Sequence, residues 1–334
     1  MVNEEIVFDY EVTGSAVSSI DTGAILNGDV DGWYTIIVRG ITATVAQNNY
    51  IDINGDSTAG NYGARFIRGI STTADNITSL TMFDNSSTDP TGFFVGKLYA
   101  KTGAIRLLNA QLMSYTTGTT IGRIQSGGIV WNNTASNITS MTFRSGQANG
   151  FAVGTRVIIL RPVTNTGGKK WVEVGSSVLV APSSSVTFSG LDGDVDQVYM
   201  LDVMTKSAAT GSPMIRLNND ATSGVYGLQY LNSSNTTVNA GRDSTATLMY
   251  GAVSDNLVNE YSQTSWLIYA KTGFLRPAIC NWTSKISGTT VGNAGVNGCS
   301  YTNTGTNITS IVSVNTNGVN FAIGSQFKLY ALRP

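Results

Sequence analysis

The sequence predicts an all-β protein made of two tandem, duplicated antiparallel β-sandwich domains of the jelly-roll kind. Short runs rich in Val, Ile, Thr, Tyr and Phe recur between Gly, Asn, Ser and Thr turns along the chain, which is the pattern of strands. No window of useful length places apolar residues at helical spacing, so we expect almost no helix.

The chain also repeats itself, which predicts the domain organisation. The stretch NITSMTFRSGQANGFAVGTRVIILRP ends at Pro162, and NITSIVSVNTNGVNFAIGSQFKLYALRP ends at Pro334. A looser version, NITSLTMFDNSSTDPTGFFVGKLYAKTG, begins at Asn76. Each version has the pattern of two strands joined by a polar loop, as in a β-hairpin. We therefore predict a first domain at residues 1–162 and a second at residues 163–334.

The remaining segments of the two halves match in the same order. A strand from Trp33 follows NGDVD in the first half, and one from Val198 follows DGDVD in the second. YIDINGDSTAGNYG corresponds to MIRLNNDATSGVYG, and KLYAKTGAIR corresponds to LIYAKTGFLR. Each half offers roughly eight strands, which suits two sheets packed face to face.

Two further expectations concern individual strands. Pro277 interrupts the run FLRPAIC, which predicts an edge strand or a bulge because proline cannot donate to a strand ladder. Lys97, Lys101, Lys271 and Arg276 lie beside predicted strands, and we expect them to guard open edges or to pair them across subunits.

The balance of charges and the absence of long apolar segments argue against nucleic acid and membrane as partners. Lys and Arg total 20 against 21 Asp and Glu, so no basic field is present and nucleic acid is not expected as a partner. The acidic start MVNEEIVFDYEV lacks the basic and apolar parts of a signal peptide, and no run approaches the ~20 apolar residues of a membrane span. We expect a soluble chain with no membrane span.

The sequence predicts a non-enzymatic protein without a cofactor. It contains no histidine, which removes Ser-His-Asp and Cys-His systems and His-ligated zinc. A carboxylate pair is the remaining option for glycoside hydrolysis, but the acidic residues are nearly all Asp in predicted turns.

The one metal candidate is a weak calcium site at Asp192, Asp194 and Asp196. Oxygen ligands at alternate positions of a loop can converge on calcium, but the segment lacks the Gly and Glu of an EF-hand loop. The favoured interpretation is a turn in which the Asp side chains accept hydrogen bonds from backbone amides.

The repeated hairpin predicts paired structural residues. We expect Phe151 to pack beside Val157 and Ile159, and Phe321 beside Phe327 and Leu329. Gly154 and Gly324, with Gly96 in the looser copy, are expected at positive-φ turns or bulges where a strand starts.

Aromatic and sulfur residues leave alternatives open. Trp33, Trp131, Trp266 and Trp282 are expected in cores or interfaces, with an exposed sugar-stacking platform as the alternative. Cys280 and Cys299 align with Ala110 and Ile129 of the first half, which favours buried free thiols over a disulfide.

The ends of the two halves also support a resemblance. N-I-T-S followed by an apolar residue, a polar loop, [GN]-F-x-x-G-[ST]-x and a closing L-R-P strand resembles segments of bacteriophage virion structural proteins. The resemblance covers about 28 residues of each half. It implies tandem jelly-roll domains, as in capsid decoration or cement proteins and double jelly-roll capsid proteins.

The resulting functional hypothesis is a virion protein, assembled in the host cytoplasm, that decorates or cements a phage head by binding capsid protein or other virion subunits. A major capsid protein is one alternative, and a tail or receptor-binding protein that recognises host-surface glycans is another. We also predict a homotrimer, because three chains with two similar domains each present six sandwiches in a ring that matches a hexagonal capsid lattice.

Overall fold

The computed structural model describes residues 4–43, 48–58, 60–68, 71–77, 80–84, 91–117, 120–163, 170–206, 211–234, 237–251, 261–287 and 290–333. The chain divides into two compact units. Unit 1 holds residues 1–117, 122–170 and 334, and unit 2 holds residues 118–121 and 171–333. The main division falls between Lys170 and Trp171, eight residues past the predicted domain end at Pro162.

Unit 1 consists of a larger and a smaller antiparallel sheet. Its elements are β1 (Glu4–Glu11), β2 (Ser19–Asp21), α1 (Gly28–Asp31), β3 (Trp33–Ile41), β4 (Asn48–Ile53), β5 (Tyr62–Arg68), β6 (Ser71–Ile77), β7 (Leu80–Asp84), β8 (Thr91–Tyr99), β9 (Arg106–Thr117), β10 (Thr120–Trp131), β11 (Met141–Ser145) and β12 (Arg156–Pro162). The larger sheet has the strand order β1-β12-β3-β8-β9-β10-β5-β6, and the smaller sheet has the order β2-β11-β4-β7.

Unit 2 repeats this topology. Its elements are β13 (Lys170–Val178), β14 (Ser185–Ser189), α2 (Gly193–Asp196), β15 (Val198–Lys206), β16 (Pro213–Leu217), β17 (Tyr226–Ser234), β18 (Thr237–Ala246), β19 (Met249–Tyr250), β20 (Tyr261–Tyr269), β21 (Arg276–Ser287), β22 (Thr290–Tyr301), β23 (Ser310–Asn315), a 3-10 turn (Thr316–Gly318) and β24 (Gln326–Arg333). The larger sheet has the order β13-β24-β15-β20-β21-β22-β17-β18, and the smaller has β14-β23-β16-β19. Strand for strand, this is the order of unit 1.

The predicted all-β sandwich class is confirmed. In the described residues, helix is limited to α1, α2 and the 3-10 turn. Each unit buries one core between its sheets: Ile51 and Phe143 of the smaller sheet share a core with Ile36 and Leu108 of the larger sheet in unit 1. Each unit has twelve described strands, more than the eight expected, because segments as short as β2 and β19 show no readable alternation.

The repeated hairpin places its phenylalanines in equivalent cores. Phe151 is fully buried in the core that contains Val157 and Ile159. Phe321 is fully buried in the other core, and its ring centroid lies 5.1 Å from that of Phe327 in an edge-to-face arrangement. Both residues also form isolated bridges, so they fasten the loop before the closing strand to the rest of the unit.

Gly154 and Gly324 have φ angles of 91° and 88°, just before the closing strands β12 and β24. A Cβ atom at Gly324 would meet nothing within 4 Å. The positive φ favours glycine at both turns, and at Gly324 lack of space is not the reason.

The expectation for Gly96 was wrong, since this residue lies inside β8 and is not among the positive-φ glycines. A Cβ atom there would lie 2.7 Å from Leu108 Cδ1 and 3.0 Å from the Phe94 ring. Close packing explains this glycine. The looser copy also differs in structure, because its first residues, Asn76 and Ile77, end strand β6, whereas N-I-T lies in a loop in both full copies.

Pro277 does not mark an edge strand. β21 pairs with both β20 and β22, but the ladder with β20 ends at Ala278, so Pro277 faces only Ser300 of β22. Pro277 is the second residue of β21, close to the strand start, where proline is tolerated. The register irregularities of β21 lie at its other end, between Ser284 and Ser287.

The four residues that were expected to protect open strand edges do not lie on edge strands. Lys97 lies on β8, which is paired on both sides. Arg276 opens the interior strand β21 and is fully buried. Lys101 and Lys271 lie in the turns that precede β9 and β21.

Candidate functional site

Four repeated motifs meet at one end of each unit, which we call the loop end. In unit 1 the loop end comprises α1 and residues 54–58, 101–106 and 132–140. In unit 2 it comprises α2 and residues 218–225, 271–276 and 302–309. Hydrogen bonds between side chains and backbone connect these segments in both units.

The three calcium candidates lie at the loop end of unit 2, where their carboxylates accept hydrogen bonds from the protein. Asp192 is the N-cap of α2, and its Oδ1 accepts from the backbone amides of Asp194 and Val195, each at 3.2 Å. It also accepts from Asn307 Nδ2 at 2.9 Å. This Asn307 amide, followed by the Val195 amide, holds the pKa of Asp192 below its ordinary value.

Asp194 and Asp196 direct their carboxylates to different partners. Asp194 Oδ1 accepts from the Thr272 amide at 2.7 Å. Asp196 is buried, and it accepts from Tyr199 Oη at 2.8 Å and from Arg333 Nε and Nη2 at 2.5 and 2.8 Å. Among the residues that the structure describes, no three His, Cys, Asp or Glu side chains converge as metal ligands.

Unit 1 repeats this arrangement around α1. Asp29 accepts from the amide and hydroxyl of Thr102 at 2.6 and 2.9 Å, and these two bonds lower its pKa. Asp31 is buried, with Tyr34 Oη at 2.6 Å and Arg161 Nη1 at 3.5 Å. Arg161 and Arg333 are the arginines of the two L-R-P strands, so each closing strand is bound to the one-turn helix of its unit.

A pair of left-handed asparagines holds the N-I-T-S segments. Asn54 and Asn218 both have φ of 53°. Asn218 Oδ1 accepts from the amides of Thr309 and Ser310 at 2.8 and 3.2 Å, and its Nδ2 donates to the Asn307 carbonyl oxygen. Asparagine tolerates this backbone region better than other non-glycine residues, and its amide supplies both a donor and an acceptor.

Two buried arginines, Arg106 and Arg276, form the base of the loop ends and were missed as such by the sequence analysis. Arg276 donates to the carbonyl oxygens of Ala270, Asn303 and Thr306. Arg106 donates to those of Asn133 and Ser136. Desolvation lowers the pKa of both guanidinium groups. The repeated spacing in A-K-T-G-x-x-R was the sequence signal that could have identified them.

An aspartate and an aromatic ring complete each loop end. Asp56 Oδ2 accepts from Trp131 Nε1 at 2.8 Å, and Asp220 Oδ2 accepts from Tyr301 Oη at 2.9 Å. Burial alone would raise the pKa of Asp56, but bonds from Trp131 and the Thr58 amide outweigh it and bring the pKa to about 2. Burial, with the bond to Asp220, raises the pKa of Tyr301 to about 12.

A shallow cleft of about 670 Å³ opens at the loop end of unit 2, lined by Asn218, Asp220, Tyr301, Asn303, Thr306, Asn307 and Thr309. Most of its polar groups already bond one another. The cleft therefore presents a preorganised surface of amide, hydroxyl and carboxyl groups to polar solutes.

The remaining candidates divide between core and surface. Trp131, Trp266 and Trp282 are buried in the two cores, whereas Trp33 is exposed on the larger sheet of unit 1. Cys280 and Cys299 are buried thiols on adjacent strands that form no disulfide, and burial raises the pKa of both.

Comparisons with known proteins give no assignment. No protein-family model matches the chain, and no curated protein matches it. Among solved structures, it is similar to domains LG4-5 of the mouse laminin alpha1 chain at 8% identity and a TM-score of 0.23, covering 98% of this chain and 90% of that one.

Two further structures show equally distant likeness. The LG1-3 region of the laminin alpha2 chain gives 9% identity and a TM-score of 0.21, covering 97% of this chain and 64% of that one. The attachment invasion locus protein Ail of Yersinia pestis gives 8% and 0.14, covering 81% and 98%. Similarity this weak carries no information about function. In the described part of the chain, no helix has the length and apolar character needed to span a membrane.

Proposed function

We propose that this chain is a non-enzymatic bacteriophage virion structural protein that binds neighbouring capsid or virion subunits, as a decoration or cement protein does. The observation that supports this most directly is a pair of exposed aliphatic positions that occurs in both units. The fold accounts for repeated buried residues, but it does not require repeated exposed apolar ones.

The first matched position lies on the one-turn helices. Val30 on α1 is 67% exposed, and Val195 on α2 is 62% exposed. A β-branched residue is not a favoured helix former, and these side chains lie mainly in solvent. Neither helix propensity nor core packing therefore accounts for the valine in both units.

The second matched position lies in the turn before each closing strand. Val153 is 49% exposed and Ile323 is 59% exposed, each one residue before the positive-φ glycine of its unit. Single exposed apolar residues are common on monomeric proteins. Their recurrence at two equivalent sites is what we expect of a surface that contacts a repeated partner twice.

A virion shell supplies such a repeated partner. Each protein contact requires apolar anchors within a polar rim, and the matched aliphatic residues lie next to loops rich in Asn, Ser and Thr. The resemblance of the N-I-T-S hairpins to segments of virion proteins agrees with this assignment.

The proposal is tested on virions of the phage that encodes the chain. We expect mass spectrometry to find the chain in purified virions, and immunogold labelling to place it on the head. In a co-sedimentation assay, the purified chain should bind to virions of a phage whose gene for this chain has been deleted. Absence from purified particles, or labelling confined to the tail, would contradict the proposal.

Matched variants identify the binding surface. Val30→Lys with Val195→Lys, and Val153→Lys with Ile323→Lys, each put two ammonium groups into the proposed contacts, where desolvation opposes binding. The control is Val180→Lys, at an exposed valine outside both pairs. At least one double variant should lose co-sedimentation while the control retains it.

A further inference from the structure

The outer face of the larger sheet of unit 1 has an exposed apolar row. Trp33 on β3 pairs directly with Tyr99 on β8. On the other side of β8, Leu98 pairs with Leu108 of β9, which places Leu107 beside Tyr99. All three of Trp33, Tyr99 and Leu107 are exposed. The row crosses three adjacent strands, a width of about 10 Å.

A polar row runs parallel to it on the same three strands. Thr35 pairs with Lys97, and Lys97 pairs with Asn109. These residues lie two positions along each strand from the apolar row, so they point to the same side of the sheet. Lys97 and Asn109 are exposed. The surface therefore offers an apolar strip next to a strip of donors and acceptors.

The tryptophan at the end of the apolar row is held in place. Trp33 Nε1 donates to Glu4 Oε1 at 3.1 Å, and Thr35 Oγ1 donates to the same oxygen at 2.8 Å. Lys97 Nζ lies 3.8 Å from Glu4 Oε1 and 4.6 Å from the centroid of the Trp33 ring. A ring fixed before binding loses little conformational entropy when a ligand stacks on it.

The duplicate unit shows that the fold does not require this row. The counterpart of the Trp33–Tyr99 pair is Val198 with Tyr269, and the counterpart of Leu107 is Pro277. All three counterparts are buried. The same strands therefore form without a tryptophan, and the exposed row is specific to unit 1.

From these two rows we infer that this face of unit 1, formed by Trp33, Tyr99, Leu107, Thr35, Lys97 and Asn109, binds a pyranose oligosaccharide. A pyranose ring has a C–H face that packs on aromatic and aliphatic side chains, and its edge carries hydroxyls that both donate and accept. The apolar row fits the face, and the ammonium of Lys97 and the amide of Asn109 fit the edge. This inference goes beyond the proposed function and does not depend on it.

The first experiment screens the full chain against an array of glucose, galactose, rhamnose and N-acetylglucosamine oligosaccharides. Binding is then titrated by intrinsic fluorescence. Trp33 is the only exposed tryptophan, because the other four, at 131, 171, 266 and 282, are buried. We expect saturable binding with a shift of tryptophan emission that is absent from Trp33→Phe.

The second experiment uses a matched pair of tyrosines. Tyr99 and Tyr10 are each 43% exposed on the larger sheet of unit 1, but Tyr10 lies on β1 outside the two rows. Tyr99→Ala should weaken binding about tenfold or more, since it removes one ring of the row. Tyr99→Phe and Tyr10→Ala should bind as the unmodified chain does. Thermal melts of each variant verify folding, and Tyr99→Ala decides the question if a Trp33 variant does not fold.

Three results would overturn the inference. The first is that no oligosaccharide on the array binds the unmodified chain saturably. The second is that binding survives Tyr99→Ala, which would move the site elsewhere, for example to the cleft of unit 2. The third is that Tyr99→Ala abolishes co-sedimentation with virions and leaves oligosaccharide binding intact, which would make the face a protein contact. The first two results do not depend on whether the chain is found in virions.

Discussion

Asn54 and Asn137 are joined by a 2.6 Å hydrogen bond from the side-chain amide of Asn54 to the backbone carbonyl oxygen of Asn137, and Asn218 makes the same bond to Asn307 at 2.7 Å. The donors are left-handed turn residues, and the acceptors open the N-I-T-S segments. The repeated motif therefore belongs to a network that holds the loop end of each unit.

The first prediction separates the two contributions of Asn218. Asn218→Gly removes the side-chain hydrogen bonds but keeps the positive φ, so it should lower the free energy of unfolding by about 2 kcal/mol. Asn218→Ala should cost about 1 kcal/mol more, because alanine is strained in this backbone region. Chemical denaturation measures both. Asn219→Gly, at the exposed neighbour with φ of 52°, is the control and should change stability little. Equal stability of Asn218→Gly and the unmodified chain would contradict the structural role.

The second prediction concerns the two core phenylalanines. Phe151→Ala and Phe321→Ala should each reduce the free energy of unfolding by about 3 to 5 kcal/mol, because each leaves a cavity in a packed core. The Leu variants should cost much less, since leucine fills most of the space. Denaturant titration provides the values. A loss below about 1 kcal/mol for either alanine variant would be inconsistent with complete burial.

These two positions show how much of the fold was readable from the sequence. Phe151 and Phe321 stand in identical F-A-x-G contexts, and repetition of a context in both halves is independent of any single propensity, so both cores were predicted correctly. Pro277 and Gly96 were interpreted wrongly because each depends on which neighbouring strand is paired at that residue, and on the side chain across the ladder. Neither the paired strand nor the facing side chain can be read from the residues next to Pro277 or Gly96 in the sequence.

The loop end was readable only in part. The G-D-V-D turns and their carboxylates were identified, since Asp has strong turn chemistry. Arg106 and Arg276 were missed because a buried cation satisfied by backbone carbonyls has no complementary acidic residue in the sequence. The local sequence does not distinguish the exposed Trp33 from the buried tryptophans. Only the strand register shows on which side of the sheet its side chain lies.

The third prediction is that calcium and chelators leave thermal stability unchanged. The carboxylates of Asp192, Asp194 and Asp196 accept bonds from Asn307, Thr272 and Arg333, respectively, so calcium would have to displace protein donors. Thermal melts with calcium chloride and with EDTA should therefore coincide. A calcium-dependent rise in Tm that Asp194→Ala abolishes would establish a metal site instead.

The fourth prediction is a loss of stability in acid that involves Asp56. Its pKa is depressed to about 2 in the folded chain, against about 3.9 for an unperturbed aspartate. A carboxyl whose pKa is lowered by folding stabilises the protein at pH values above its unfolded-state pKa. This contribution disappears as the pH falls from about 4 to about 2. Asp56→Asn should be less stable at neutral pH and should lose less stability across this range. Asp21→Asn, at an exposed carboxyl on β2, is the control. Identical pH profiles for Asp56→Asn and the unmodified chain would contradict this assignment.

The last prediction is that the chain is a homotrimer in solution. Two similar units per chain and three chains give six similar sandwiches around a closed axis, and closed symmetry is usual for soluble homo-oligomers. The outermost strands of the described sheets, such as β6 and β18, offer backbone groups for contacts between subunits. Native mass spectrometry should show a species of about 106 kDa, three times the 35.3 kDa chain. If the subunit contact contains one of the matched aliphatic pairs, replacing both members of that pair by lysine should dissociate the trimer. The pairs are Val30 with Val195 and Val153 with Ile323. A pair whose replacement leaves the trimer intact remains available to virion subunits. A species of one chain mass at micromolar concentration would exclude the trimer, and a trimer unaffected by either double variant would place its contacts on the strand edges.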